Sequence, residues 1–162
     1  MIFLSVDPGI VNCGIVVGYY NQFSQTCTIL FAKSLILGTA KKCNYHKLQR
    51  RLHSNLQGLV DEYNPVIITI EHQPTIVQNK MQPLYNALNV LIENCAIQFA
   101  LTAKISYLST AANNWHLKFG ITGTKTITKY KKLEIKKFTL FNRNLLKETH
   151  TYDAVFVFLY HQ

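Results

Sequence analysis

The sequence predicts a single α/β domain over residues 1–162, with a mixed sheet flanked by helices. Two observations predict this class. Three strand-like segments follow one another with short polar turns, which is typical of an antiparallel meander. A helix-like segment then leads into another buried strand, and this order favours parallel pairing of that strand with the first. We therefore expect a mixed sheet whose first three strands are antiparallel.

The first predicted strand is the apolar run at residues 2–6, which ends in a single carboxylate, Asp7. A short continuous apolar run is typical of a strand that is buried on both faces. Pro8 and Gly9 follow and force a turn. A carboxylate near a core is costly unless a cation pairs with it, so Asp7 is the first candidate functional residue.

Residues 13–20 and 27–37 predict the second and third strands, and Gly38 ends the third. Residues 45–63 change period, because their leucines recur at helical spacing while basic side chains occupy the other face. This predicted helix ends before Pro65, since proline disfavours helical geometry in the residue that precedes it.

The next predicted strand, residues 66–71, is a β-branched apolar run that again ends in one acid, Glu71. Residues 72–83 are polar and predict a loop. Residues 84–99 predict a long helix with apolar side chains on more than one face, which indicates a central helix or one that pairs with another subunit. Residues 105–108 predict a short strand.

The last third of the chain is less regular. Residues 109–115 predict a short capped helix, and residues 118–125 an exposed loop rich in Gly and Thr. Residues 126–141 predict a basic helix with one apolar side. The apolar segment 153–160 is compatible with a helix or a strand, because its pattern favours neither.

The composition indicates which kind of molecule the protein binds and in which compartment it acts. Lys and Arg number 17 against 8 acids, for a net charge of +9, and hydrophobic residues make up 48%, which excludes a disordered chain. A folded and strongly basic domain indicates a polyanionic partner, most often nucleic acid, although a merely basic surface is the alternative. Four scattered cysteines show no zinc spacing. With no signal peptide and no membrane-length apolar run, we expect an intracellular, reducing compartment and no membrane partner.

Three of the acids, Asp7, Glu71 and Asp153, stand at the ends of apolar segments. Each could be an isolated cap or surface acid. If the fold brings them together, cations must neutralise them, and Mg²⁺ prefers carboxylate oxygens. Two such ions can hold the attacking and leaving oxygens of a phosphoryl displacement. Beside a basic surface, that chemistry would cleave a phosphodiester.

His150 stands three residues before Asp153, so the two share one face if the segment is helical. Its ring nitrogen could bind a metal or an activated water, or the side chain could simply lie on the surface. Glu148 is a second candidate ligand, but its offset of five residues fits a common helical face less well.

These residues resemble the motifs of the RuvC-type nucleases, which belong to the RNase H-like superfamily. The three motifs occur in the family's order and span nearly the whole chain: Asp7-Pro8-Gly9 followed by Gly14, Glu71-His72-Gln73, and His150 three residues before Asp153. The compact length and the Tyr, Asn and Lys content are similar to those of the poxvirus Holliday junction resolvases, a resemblance that implies the host cytoplasm.

The resemblance implies a five-stranded RNase H-like sheet, a homodimer, and two Mg²⁺ ions in each active site, with Mn²⁺ as a possible substitute. It implies a junction resolvase that nicks four-way DNA symmetrically to give ligatable products. Its acids correspond to Asp7, Glu71 and Asp153, with His150 where many relatives have Asp. A basic residue near the scissile phosphate corresponds to Lys125, with Lys118 as second choice. The residues expected to bind DNA are Lys118, Lys125, Lys129, Lys131, Lys132 and Lys136.

The helix at residues 84–99 is the candidate dimer interface, because a two-fold protein dimer matches the symmetry of a junction cut on two strands. A charged residue at Leu88 or Ile92 is then expected to yield monomers.

Three other functions compete with a resolvase. A related nuclease could act on other branched or RNA-containing substrates, and only substrate preference separates the two. A non-catalytic DNA-binding module of the same fold would be expected to lack one of the acids, yet all three are present. An ATP-dependent member of the actin and hexokinase branch also begins with a strand, an Asp and a turn. That branch needs a second, similar half, for which this chain is too short.

Overall fold

The computed structural model describes residues 1–39, 44–74, 83–121 and 138–162. Six strands form one mixed sheet in the order β5-β4-β1-β2-β3-β6. The strands are β1 Ile2–Asp7, β2 Cys13–Asn21, β3 Thr26–Leu35, β4 Ile67–His72, β5 Ser106–Ala111 and β6 Thr139–Phe141. The described helices are α1 Tyr45–Tyr63, α2 Pro83–Ala103, α3 Ala112–Phe119 and α4 Thr149–Tyr160.

The α/β class and the antiparallel arrangement of the first three strands are confirmed. β1 pairs antiparallel with β2, and β2 pairs antiparallel with β3. β4 pairs parallel with β1 on its other side, as the order of helix and strand predicts. β5 extends the sheet by pairing parallel with β4.

The expected count of five strands is wrong, because β6 adds a sixth at the edge beside β3. This strand falls at the end of the basic helix predicted for residues 126–141. Its three residues are a β-branched, an aliphatic and an aromatic residue, which suit a pleated edge position. Residues 126–137 of the predicted helix lie outside the described residues.

The centre of the sheet is buried on both faces, which explains the continuous apolar sequence of β1. Leu4 and Val6 pack into a core with the leucines of α1 and the apolar side of α2. Phe3 points to the opposite face and packs into a second core with α4. Successive side chains of a strand alternate between faces, so β1 contributes to both cores.

α1 has the predicted bounds because its caps are encoded locally. The Asn44 side chain accepts a hydrogen bond from the Lys47 N–H over 3.1 Å, which satisfies one of the unpaired amides of the first turn. At the other end Asn64 adopts a left-handed conformation with φ of 49°, and its N–H bonds to the Val60 carbonyl. A helix commonly ends in this way.

The predicted short helix at residues 109–115 is wrong at its first three positions. β5 continues through Ser109 to Ala111, because these residues pair with β4 as far as His72. The ladder with β4 outweighs the local capping signal, and α3 begins only at Ala112.

The C-terminal segment is a helix, α4, and its residues from Thr151 to Leu159 are all buried. It packs against β1, β2 and β4. Because no face of this buried stretch meets solvent, its sequence shows no helical period and is compatible with either a helix or a strand.

The two substitutions chosen to test the candidate dimer interface need a correction. Leu88 and Ile92 are 8% and 0% exposed and belong to the core between α2 and the sheet. A charge at either position would disrupt the monomer, so these substitutions do not test an interface. None of the helices in the described ranges has the length and apolar character needed to cross a membrane.

Candidate active site

α4 is held antiparallel along β1 by contacts that repeat at matching intervals. The Phe3 and Phe158 rings stack with their centroids 3.6 Å apart. Two residues further along the strand, Ser5 donates a hydrogen bond to the Ala154 carbonyl, four residues back along the helix. The Thr69 hydroxyl of β4 in turn donates to Ser5 over 2.7 Å. These buried polar contacts fix the axial position of α4 relative to two strands.

The same spacing, two residues along β1 and four along α4, places His150 next to Asp7. Two strand residues span about 6.6 Å and four helical residues about 6 Å, so the next contact falls on this pair. His150 Nδ1 and Asp7 Oδ2 are hydrogen-bonded at 2.7 Å. Asp153, one turn further along α4, is 3% exposed. The helical register therefore places both α4 side chains at the carboxyl end of β1.

Two glycines of β2 leave the space that this packing uses, Gly14 for the backbone of α4 and Gly18 for the Phe3 ring. Gly14 pairs with Asp7, and a Cβ there would lie 2.1 Å from the His150 carbonyl oxygen. Gly18 pairs with Phe3, and a Cβ there would lie 2.5 Å from the Phe3 ring. A side chain at position 14 would displace the first turn of α4, whereas one at position 18 would displace the Phe3 ring that stacks on Phe158.

Asp7, His150 and Asp153 form a compact group of potential metal ligands. One ligand atom from each residue lies within 4.8 Å of the others. Asp7 and Asp153 are 6% and 3% exposed, and burial of two carboxylates so close together is costly without a cation. Oxygen ligands of this kind suit a hard divalent cation, so the residues present fit Mg²⁺ or Mn²⁺.

Glu71 lies at the end of the neighbouring strand. β4 runs parallel to β1 with Ile70 opposite Val6, so Glu71 and Asp7 occupy the next position on each strand. Ile70 and Val6 face the core with α1 and α2, which turns Glu71 and Asp7 towards α4. Glu71 is 7% exposed, although it is not a member of the compact group of three.

The other predicted site residues are placed differently. Glu148 is the residue before α4, where its side chain makes no capping hydrogen bond, and it is outside the compact group. Lys118 on α3 donates a hydrogen bond to the Tyr160 carbonyl, at the far end of α4 from His150, about 15 Å along the helix axis. Lys125, Lys129, Lys131, Lys132 and Lys136 lie outside the described residues.

Cys13 lies close to the site but is not suited to its chemistry. The pKa of its thiol is raised to about 12, mainly by burial and with a smaller contribution from the nearby Asp7 carboxylate. A thiol is a nucleophile or a metal ligand only as the thiolate. Cys13 therefore stays protonated at neutral pH and acts as a small apolar residue of the core.

Sequence reasoning missed the polar residues that support the site. Ser5 and Thr69 interrupt apolar strands, and Glu93 is the one acid of the apolar helix α2. All three are buried. A lone polar residue in an apolar run is the signal that could have identified them, because such a residue needs a bonding partner.

No protein-family model and no curated protein matches the sequence. Solved structures do match in fold. The Thermus thermophilus RuvC in complex with Holliday junction substrate is 16% identical, with a TM-score of 0.70 over 99% of this chain and 92% of that chain. The yeast mitochondrial Holliday junction resolvase is 16% identical, with a TM-score of 0.59 over 96% of this chain and 76% of that one.

The fowlpox virus resolvase in complex with substrate Holliday junction DNA is 13% identical, with a TM-score of 0.57 over 98% of this chain and 97% of that chain. The fold is thus that of the nucleases of the RNase H-like class. Within that class it is the RuvC-like fold, as the sequence motifs predict.

Proposed function

We propose that this chain, as one domain over residues 1–162, is a metal-dependent endonuclease that resolves four-way DNA junctions. The observation that carries the proposal is the compact group of Asp7, His150 and Asp153 at the end of β1. The proposal is supported by the shared fold, since two of the similar structures are complexes with Holliday junction DNA.

The proposed metal ligands are Asp7, Glu71, His150 and Asp153. These residues would hold two Mg²⁺ ions, or Mn²⁺ in their place, and the ions would supply Lewis-acid chemistry for hydrolysis of a phosphodiester. Asp7 and Asp153 provide buried carboxylate oxygens, and α4 holds Asp153 in register with β1. His150 contributes a nitrogen, so the group carries less negative charge than it would with Asp at that position.

The test is cleavage of an immobile four-way junction with each strand labelled in turn, in Mg²⁺, beside a linear duplex of the same sequence. The proposal expects paired nicks at symmetric positions on opposite strands of the junction, and ends that a ligase reseals. Equal cutting of the duplex and the junction would support a nuclease activity but would exclude a junction resolvase. Preferred cutting of flaps or RNA-containing hybrids would favour the related nuclease.

The proposed DNA surface is basic and includes Lys118, Lys125 and the lysines that follow it. Each phosphate contact adds about −0.9 to the slope of log affinity against log salt concentration. Neutral substitution of Lys131, Lys132 and Lys136 together should therefore flatten the slope for junction binding. An unchanged slope would exclude these three lysines from the surface.

A homodimer is also proposed, because a junction has two strands to cut at symmetric positions. α2 exposes Leu84, Leu91 and Leu101 to between 38% and 54%. The variant Leu91→Glu should sediment as a monomer, whereas Leu117→Glu, on an exposed leucine of α3, should remain dimeric. A dimer that survives the change at Leu91 would contradict this choice of interface.

A reducing compartment is proposed as the site of action. Cys13, Cys27 and Cys95 are free and buried. Unpaired thiols of this kind are usual where thiols are kept reduced.

A further inference from the structure

Glu93 is a buried acid outside the candidate metal ligands, and both of its carboxylate oxygens are engaged. It is 4% exposed and lies in the middle of α2. Oε2 accepts a hydrogen bond from the Gln73 N–H over 2.8 Å, and Oε1 lies 2.8 Å from His72 Nδ1. A buried carboxylate is tolerated only with such partners, so these contacts are integral to the fold.

Both partners of Glu93 come directly after Glu71 in the chain. Side chains alternate along β4, so Glu71 faces α4 while His72 faces α2. Glu93 therefore binds the strand end from the side opposite the metal ligands. The pairing of β4 with β5 ends at His72, which is opposite Ala111. The hydrogen bond that the Gln73 N–H donates to Glu93 holds the backbone one residue beyond that point.

We infer that Glu93 is a positioning residue for Glu71, an inference that rests on the proposed metal site. Hydrogen bonds to a charged acceptor are about twice as strong as neutral ones, so two of them hold this strand end firmly to α2. The carboxylate of Glu71 is thereby kept beside Asp7. Loss of a residue that orients a metal ligand typically costs 10–100-fold in metal affinity or activity.

Two variants of Glu93 distinguish the effect of its hydrogen bonds from the effect of its charge. Glu93→Gln keeps an oxygen for the Gln73 N–H and an amide that can bond His72 Nδ1. Glu93→Ala removes both bonds. The matched control is Glu62→Ala, which removes an exposed carboxylate from α1.

The first readouts are Mn²⁺ binding to the protein alone by calorimetry and hydrogen exchange of the Gln73 amide. We expect Glu93→Ala to weaken Mn²⁺ binding about 10-fold or more and to expose the amide to exchange. Glu93→Gln should restore most of the affinity and the protection. The Mg²⁺ concentration that half-saturates junction cleavage should rise in parallel with the Mn²⁺ dissociation constant.

Wild-type Mn²⁺ affinity in a folded Glu93→Ala protein would overturn the inference. A Glu93→Gln protein as defective as Glu93→Ala would also overturn it, because charge and not bonding geometry would then matter. If Glu93→Ala fails to fold, His72→Ala removes one contact at a half-exposed side chain and should weaken Mn²⁺ binding by a smaller factor. Unchanged affinity there would count against the inference. A wild-type protein that binds Mn²⁺ but cuts no junction would refute the proposed function alone.

Discussion

The substitution Gly14→Ala tests whether the close approach of α4 to β2 builds the site. The new Cβ would lie 2.1 Å from the His150 carbonyl oxygen and 2.5 Å from its carbonyl carbon. An ordinary carbon–oxygen contact is about 3.3 Å or more. Both obstructing atoms belong to the backbone, so no rotamer change relieves the clash. The first turn of α4 must therefore move by about 1 Å, the difference between these distances.

That movement would separate His150 from Asp7, whose hydrogen-bonded atoms are 2.7 Å apart. A misplacement of about 1 Å in a catalytic group can cost about 100-fold in rate. Overpacking of a core typically costs about 1–3 kcal/mol of the free energy of unfolding. We therefore expect Gly14→Ala to fold with a lowered melting temperature and to cleave junctions about 100-fold more slowly.

The assay is single-turnover cleavage of a labelled junction at saturating Mg²⁺, at a temperature where the melting curve shows the variant folded. The control is Gly58→Ala on α1, where a Cβ meets nothing within 4 Å. That change should raise the free energy of unfolding by about 0.4–1 kcal/mol and leave the rate unchanged. Wild-type cleavage by Gly14→Ala would refute the reasoning.

Two further predictions concern the core around the site. Ser5→Ala removes the side-chain donor to the buried Ala154 carbonyl and the acceptor of the Thr69 hydroxyl, so the free energy of unfolding in denaturant should fall by about 1–3 kcal/mol. No change would mean that these bonds do not hold α4. Burial raises the pKa of the Cys13 and Cys27 thiols from 9.0 to about 12, so their contribution to stability is full below pH 9 and is lost as the pH rises towards 12. The reaction of these two thiols with a thiol reagent at pH 8 should require unfolding, and rapid labelling of Cys13 or Cys27 in the native protein would contradict this.

Local sequence signals predicted the parts of the fold that local interactions determine. The apolar run of β1 indicated burial on two faces, and Leu4 and Phe3 indeed occupy opposite cores. The bounds of α1 followed from its leucine spacing and from Pro65. By contrast, the continuation of β5 through Ala111 depends on pairing with β4, which no local pattern at that segment encodes.

The features of the candidate site likewise fall into those that the sequence predicted and those that it could not. Acids at the ends of apolar segments indicated that Asp7, Glu71 and Asp153 could meet. Asp7 and Asp153 do lie together with His150, which is three residues before Asp153, whereas Glu71 is outside this compact group. The bond between Glu93 and Gln73 was not predictable, because its donor is a backbone N–H that carries no residue signature. A contact of this kind becomes visible only once the packing of α2 against the end of β4 is known.

The most direct test of the proposed active site compares the wild-type protein with Asp7→Asn on a labelled four-way junction in Mg²⁺. Asn keeps the size of the side chain but loses the charge that a hard cation needs. We expect symmetric nicks from the wild type, none from the variant, and equal junction binding by both. Cleavage by Asp7→Asn at the wild-type rate would contradict the account, as would junction binding by the wild type without cleavage in either Mg²⁺ or Mn²⁺.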